Sequence, residues 1–243
     1  MLQDEILFSS LQELIDRGSI REVVSVLKSG KEATVCCCRD RHGGLVAAKV
    51  YRPLEHRRFR NDQVYRSGKV LKGRAQRALD NKSDHGRAVQ LGTWQHYEWE
   101  TINLMHEIGS DVPRPIERGS GVIVMEYVGG DESTPAPQLR AVRSMSAGEA
   151  RELFERLMWN VELWLAHNRI HGDLSPFNVL YWHGRPVVID FPQAVDPREN
   201  PMAYSMLSRD IENVWRYCSR FGVTCDPWKI AGRLWARFLR AEL

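Results

Sequence analysis

Long hydrophobic runs are absent from this chain of 243 residues. A membrane-spanning helix needs about 18–20 consecutive apolar residues, so we expect no transmembrane segment. The first residues carry acids where a secretory leader carries cations, so we also expect no leader and a cytoplasmic location. Cysteines number only five, and three of them are adjacent, at 36–38. Neighbouring residues of a strand face opposite sides, so this run predicts neither a disulfide framework nor a metal cage, and it favours a reducing compartment.

Motifs of several catalytic classes are also missing. The sequence has no G-x-x-x-x-G-K-[ST] phosphate-binding loop and no G-x-S-x-G nucleophile turn. His167 and His171 are four residues apart, but Asn168 stands where a zinc protease needs glutamate. These gaps argue against a P-loop nucleotidase, a serine hydrolase of that class and a zinc protease.

The charge is small overall but unevenly distributed. The chain is 43% hydrophobic and 27% charged with a net charge of +3, which is typical of a globular protein. Residues 57–87 hold ten lysines or arginines against three aspartates, a net charge of +7. This basic insertion is either a solvated loop or a patch for an acidic partner such as RNA or a ribosomal particle.

The order of predicted elements indicates an α+β chain with two lobes and a cleft between them. A short amphipathic helix over 3–16 precedes three strand-like runs, and Ser146 and Glu149 form a capping box that opens a strongly periodic helix. The remaining predicted elements are a helix over 93–108, an apolar strand over 121–130, short strands over 179–182 and 186–191, and two C-terminal helices.

A lysine occupies the centre of the apolar strand 45–51. Burying the ammonium of Lys49 is costly unless an acid pairs with it. Glu98 and Glu100 lie on opposite edges of the apolar stripe of helix 93–108, and periodicity does not choose between them as the partner.

Three polar residues follow in a pattern that suits phosphate chemistry. Asp173 and Asn178 are five residues apart in the loop H-G-D-L-S-P-F-N, and Asp190 ends the apolar strand V-V-I-D. A carboxylate can accept a proton from a hydroxyl, and amide and carboxylate oxygens are suitable ligands for Mg²⁺. We expect Asp173 to act as base, Asn178 and Asp190 to hold metal, and Lys49 to bind the nucleotide phosphates. The order lysine, glutamate, strand, D-x₄-N and D is that of protein kinases.

The chain resembles the RIO family of atypical serine/threonine protein kinases, in the compact form without a winged-helix domain. The matching motifs are S-G-K-E-A at 29–33, A-A-K-V-Y at 47–51, E-T-I-N-L at 100–104, V-M-E-Y-V-G at 124–129, H-G-D-L-S-P-F-N-V-L-Y at 171–181, V-I-D-F at 188–191 and R-D-I-E-N-V at 209–214.

The resemblance implies a kinase-like fold: an N-terminal helix over 1–20, a sheet lobe over 21–128 with a flexible basic insertion over 54–92, and a mainly helical lobe over 129–243 that lacks a full activation segment. It implies ATP and Mg²⁺ as cofactors, with Mn²⁺ as an alternative ion. It also implies that Glu100 pairs with Lys49, that Asp210 bonds the catalytic-loop backbone, and that Asp190 can accept phosphate in an ATPase cycle. The remaining nucleotide contacts that it implies are Ser29, Lys31, Glu32, the gatekeeper Met125 and the backbone of Glu126 and Val128.

Two other functions compete with a protein kinase that phosphorylates protein hydroxyls, including its own. A small-molecule phosphotransferase for aminoglycosides or choline-like alcohols uses the same loop, and it should carry an acidic acceptor pocket in the helical lobe. An ATP-gated RNA- or ribosome-binding module would instead depend on residues 57–87.

Overall fold

The computed structural model describes residues 2–52 and 84–243, with side chains over 9–52 and 95–243. The basic insertion therefore lies almost entirely outside the described residues. These residues form two compact units. The first contains 2–52, 84–103 and 113–135, and the second contains 104–112 and 136–243. None of the described helices is long and apolar enough to cross a membrane.

The first unit is built on a five-stranded antiparallel sheet. Its strands are β1 (Ile20–Ser29), β2 (Ala33–Asp40), β3 (Leu45–Tyr51), β4 (Pro115–Gly119) and β5 (Val122–Glu126). They lie in the order β1-β2-β3-β5-β4, so β1 and β4 form the edges. Consecutive strands pair as hairpins except β3 and β4, because β3 pairs with β5 instead.

Helix α1 (Leu2–Asp16) covers one face of this sheet. Its Leu11 and Leu14 pack in one apolar cluster with Cys36, Cys38 and Ala48. Because alternate strand residues face opposite sides, Cys37 and Lys49 belong to the other face. All three adjacent cysteines are buried and free. Burial raises the pKa of Cys36 to about 11 and that of Cys38 to about 12, which keeps both thiols protonated.

Helix α2 (Asp84–Glu107) follows the basic insertion in the sequence, and the boundary between the two units falls within it, after Asn103. Its buried positions recur every three or four residues, at Gln95, Glu98, Ile102 and Met105. The buried face of α2 is thus partly polar, and this polarity has a function in the site described below.

The second unit is mainly helical. It contains α3 (Ala147–Ala166), α4 (Ala203–Cys218), α5 (Pro227–Leu239) and a hairpin of β6 (Val179–Trp182) and β7 (Arg185–Val188). The predicted capping box at the start of α3 is confirmed: Ser146 accepts the N–H of Glu149, and the Glu149 carboxylate accepts the N–H of Ser146 at 2.8 Å. The predicted α+β class, with an antiparallel sheet unit and a mainly helical unit, is confirmed.

Candidate active site

Lys49 is paired with a buried glutamate in the first unit. Its Nζ donates to Oε1 of Glu98 at 2.6 Å, and the hydroxyl of Tyr51 donates to the other carboxylate oxygen at 2.5 Å. Lys49 is 9% exposed and Glu98 only 4%. Two hydrogen bonds therefore compensate for burying the carboxylate, and the ammonium is held at a fixed position on β3.

Glu100 does not make this contact, so the predicted pairing of Glu100 with Lys49 is wrong. Its side chain is exposed, with Oε1 lying 3.7 Å from Nδ1 of His96. Residues two positions apart in a helix are rotated by about 200° about the helix axis, so Glu98 and Glu100 cannot share a face. Glu98 lies on the buried face with Gln95 and Ile102. Periodicity leaves the two glutamates open because the buried face also carries glutamine and glutamate, and only the family resemblance favours Glu100.

The turn that replaces a glycine-rich loop lies between β1 and β2. Gly30 donates to the carbonyl of Ala33 at 2.9 Å, and Arg52 donates from its backbone to the carbonyl of Glu32 at 2.9 Å. The Arg52 guanidinium also bonds the hydroxyl of Ser29 at 2.7 Å. Lys31 is exposed at the tip of the turn. The turn is thus tied by Arg52 to the end of β3, close in sequence to Lys49.

The catalytic-loop candidates are brought together in the second unit. Asn178 donates from Nδ2 to a carboxylate oxygen of Asp173 at 3.0 Å and to the backbone carbonyl of the same residue at 2.9 Å. The N–H of Ile189 donates to the carbonyl of Asn178 at 2.9 Å, which places Asp190 beside this loop. All three residues predicted for chemistry are therefore held in one small region of one unit.

The electrostatics of Asp173 suit a proton acceptor. Part of the residue is exposed, but the surrounding protein desolvates its carboxyl group, which raises the pKa of Asp173 above the ordinary value. The nearby negative charge of Asp190 raises this pKa further. The hydrogen bond from Asn178 and the charge of Arg209 act in the opposite direction. A base with a raised pKa holds an abstracted proton more strongly.

Asp190 adopts a backbone conformation that is rare for a side chain. Its φ is +74°, in the left-handed region. Non-glycine residues held there cost free energy and tend to occur at functional sites. The neighbouring Phe191 is 1% exposed and packs against the rings of Trp164 and His171, which fixes the turn.

His171 joins the two loops through both ring nitrogens. Its Nδ1 accepts the N–H of Asp173 at 3.2 Å, so its Nε2 carries the proton donated to the carbonyl of Ile189 at 3.2 Å. The sequence does not predict this role, because His171 stands there only as the first residue of the loop motif.

Helix α4 holds the loop from the other side. The buried carboxylate of Asp210 accepts the N–H groups of Gly172 at 2.7 Å and Leu174 at 3.0 Å, on either side of Asp173. Arg209 donates to the carbonyl of Gly172, and Asn213 donates to that of Leu174 at 3.1 Å. Desolvation raises the pKa of Asp210 to about 7, although the two backbone bonds favour the charged form. The contact of Asp210 with the loop backbone is as predicted.

A family model decides the assignment. The model described as the RIO domain matches residues 34–230, which include Lys49, the catalytic loop, Asp190 and Asp210. The chain belongs to the RIO family.

Curated RIO relatives are similar along most of this chain. It is 29% identical over 217 residues to the serine/threonine-protein kinase rio1 of Schizosaccharomyces pombe, with 88% of this chain and 42% of that protein covered. It is also 29% identical over 225 residues to a RIO-type serine/threonine-protein kinase of Haloferax volcanii, with 92% and 72% covered. The chain thus spans less than half the length of the fission-yeast relative.

Solved RIO kinase structures share the fold. The Rio2 kinase from Chaetomium thermophilum, in a complex with ADP, Mg²⁺ and phosphoaspartate, superposes with a TM-score of 0.70 at 24% identity, covering 95% of this chain and 66% of that one. A second structure of the same kinase gives a TM-score of 0.70 at 23% identity, covering 95% of this chain and 68% of that one.

Proposed function

We propose that this RIO chain is an ATP- and Mg²⁺-dependent protein kinase that transfers the γ-phosphate to protein hydroxyls, its own included. The observation that carries the proposal is the position of Asp173. Its carboxylate is fixed by Asn178, its loop backbone is held on both sides by Asp210, and Asp190 lies beside it. In this role Asp173 takes the proton of the acceptor hydroxyl.

Lys49 serves as the cation for the nucleotide phosphates. Its ion pair with Glu98 restricts the position of the ammonium, so less ordering is required when a nucleotide binds. The adenine contacts remain predictions: the N–H of Glu126 already donates to the carbonyl of Arg114 at 2.8 Å, so a purine would use the carbonyl of Glu126 and the backbone of Val128. The other predicted nucleotide contacts are Met125, Ser29, Lys31 and Glu32. The lobe boundaries and a cytoplasmic location also remain predictions.

The donor set near Asp190 fits Mg²⁺. Asn178 and Asp190 offer oxygen ligands on adjoining backbone segments, and Mg²⁺ is commonly bound by one or two protein ligands together with phosphates and water. Over 9–52 and 95–243, where side chains are described, no group of three or more histidine, cysteine or acidic side chains could hold a metal alone. When bound, the ion neutralises charge on the phosphates. Mn²⁺ as an alternative remains a prediction.

An ATPase cycle through Asp190 is a second candidate activity. The fungal Rio2 kinase was solved in a complex with ADP, Mg²⁺ and phosphoaspartate. In this chain an oxygen of Asp190 would form a bond to the γ-phosphorus as the bond to ADP breaks, and water would later release phosphate. The test is whether hydroxylamine removes the phosphate that γ-labelled ATP transfers to the chain. Removal supports this cycle, because an acyl phosphate is labile to hydroxylamine and a phosphoserine is not.

The acceptor class is tested with γ-labelled ATP and Mg²⁺. The wild-type chain should label itself and a generic basic or acidic protein, and it should leave aminoglycosides and amino alcohols unlabelled. Label found only on small alcohols would instead support the small-molecule phosphotransferase. The RNA- or ribosome-binding alternative depends on 57–87 and predicts RNA co-purification that moderate salt abolishes.

A further inference from the structure

A pocket of about 470 Å³ lies beside the catalytic loop within the second unit. Ser175, Pro176 and Phe177 of the loop form one side. Three arginines, Arg140, Arg216 and Arg220, line the rest together with residues of α4. No carboxylate lines it among the described residues. This disagrees with the acidic pocket that a phosphotransferase for cationic small molecules requires.

The arginines combine positive charge with exposed aromatic surface. The guanidinium carbon of Arg140 lies 4.9 Å from the ring centre of Phe177, a residue that is 56% exposed. The guanidinium of Arg220 lies 5.6 Å from the ring of Tyr217, whose hydroxyl donates to the carbonyl of Val142 at 3.0 Å. The pocket walls are therefore partly held in place, while the charged ends of the arginines remain exposed.

Within the part of the chain that the structure describes, Arg216 is the one pocket arginine that forms an ion pair. It donates to Glu212, one helical turn earlier, at 2.6 Å. A surface pair of this kind contributes little to stability, so an incoming carboxylate can compete for Arg216. The pocket thus keeps an excess of positive charge that an anionic group could neutralise.

The loop itself connects the pocket to the proposed base. Ser175 and Phe177 follow Asp173 by two and four residues, a reach of at most about 14 Å along the chain. A bound peptide segment of a few residues could therefore span from the pocket to an acceptor hydroxyl at Asp173. The loop between them is rigid, because Gln138 donates to the carbonyl of Phe177 at 2.5 Å and Arg140 donates from its backbone to that of Pro176 at 3.0 Å.

We propose that this arginine pocket docks an acidic segment of the protein substrate, with aspartate or glutamate side chains on Arg216 and Arg220, near the phosphorylated hydroxyl. This inference rests on the proposed kinase function and adds a substrate class to it. Arginine recognises carboxylates through paired, charge-assisted hydrogen bonds, and acidic motifs are commonly bound by arginine clusters.

The test is peptide binding by fluorescence anisotropy, without ATP. The probes are a labelled peptide with one serine among aspartates and glutamates, its counterpart with asparagines and glutamines, and a labelled oligouridine RNA. The acidic peptide should bind the wild-type chain more tightly than its neutral counterpart. Arg220→Glu should weaken that binding about tenfold, the scale of one charge-assisted contact. The milder Arg220→Gln should weaken it less, and Arg233→Glu, on the exposed part of α5, is the matched control that should not change it.

Three results would overturn the docking proposal: equal affinity for the acidic and neutral peptides, unchanged affinity in a folded Arg220→Glu chain, or RNA that binds more tightly than the peptide and is lost in the same variant. A thermal melt establishes folding, and Arg220→Gln replaces Arg220→Glu if the latter does not fold. Because binding is measured without catalysis, a chain that binds the acidic peptide but transfers no phosphate contradicts only the kinase proposal. A chain that phosphorylates proteins but does not distinguish the peptides contradicts only the docking site.

Discussion

Glu98 is the counter-ion of Lys49, and both charges are almost completely removed from solvent. Neutralising one member of such a pair leaves the other charge buried without compensation. We expect Glu98→Gln to lower the free energy of unfolding by about 3–5 kcal/mol and to raise KM for ATP, because Lys49 loses its fixed position.

The matched control for that variant is Glu100→Gln. It makes the same chemical change two residues away on an exposed side chain, so its effect on stability should stay within about 0.5 kcal/mol. Urea unfolding of both variants measures the difference. Equal losses would contradict the pairing of Glu98 with Lys49.

Asp210 gives a pH dependence whose sign can be derived. Its pKa is about 7 in the folded chain against an ordinary value of 3.8, so the folded state binds more protons than the unfolded state between these values. The contribution of this group to stability is therefore fully present only below about pH 3.8, and it is lost as the pH rises from there to about 7. Asp210→Asn cannot ionise and is the reference.

The measurement is the difference in unfolding free energy between wild type and Asp210→Asn, from pH 4 to pH 8. The unfolding free energy of the wild type should fall relative to that of Asp210→Asn as the pH rises to about 7, and the difference should then become constant. If the wild type instead becomes more stable relative to Asp210→Asn as the pH rises, the hydrogen bonds from Gly172 and Leu174 lower the pKa of Asp210 by more than desolvation raises it.

The left-handed backbone at Asp190 predicts that this residue lowers the stability of the fold although phosphotransfer requires it. Glycine adopts this conformation without the Cβ penalty, which is about 1–2 kcal/mol for other residues. Asp190→Gly should therefore be more stable than Asp190→Ala by about 1 kcal/mol, while both lack phosphotransfer. Chemical unfolding of the two variants tests this, and equal stabilities would show that the turn is not strained at this position.

Gly172 should not tolerate a side chain. Its φ is +79°, and a Cβ there would lie 2.5 Å from Cε of Met206 and 2.6 Å from the carbonyl oxygen of Gln193. Gly184 has nearly the same φ, +77°, but nothing within 4 Å of a Cβ. Both alanine variants share the backbone strain, so Gly172→Ala should cost about 1–3 kcal/mol more than Gly184→Ala, the range for overpacking. Thermal unfolding compares them, and equal costs would contradict crowding at Gly172.

The sequence was most informative where chemistry is local. The capping box of Ser146 and Glu149 and the loop containing Asp173 and Asn178 are defined by short-range spacing, and the structure forms both as predicted.

The sequence was misleading where tertiary contacts decide. The partner of Lys49 depends on which face of α2 is buried, and that face holds Gln95 and Glu98 because they bond to other elements rather than because they are apolar. The arginine pocket combines Arg216 and Arg220 with Arg140, which lies far from both in the sequence, so no local pattern indicates the pocket. The bridging role of His171 likewise requires Ile189, which only the fold brings near.

The most direct test of the account is phosphate transfer from γ-labelled ATP with Mg²⁺ by the wild-type chain, Asp173→Asn and Asp190→Asn, each verified as folded. Glu199→Gln, an exposed change outside the site, is the control. We predict that each aspartate variant loses about 100-fold or more of the activity, the scale of a lost catalytic group, and that the control retains it. Full activity in either folded aspartate variant would contradict the assigned chemistry.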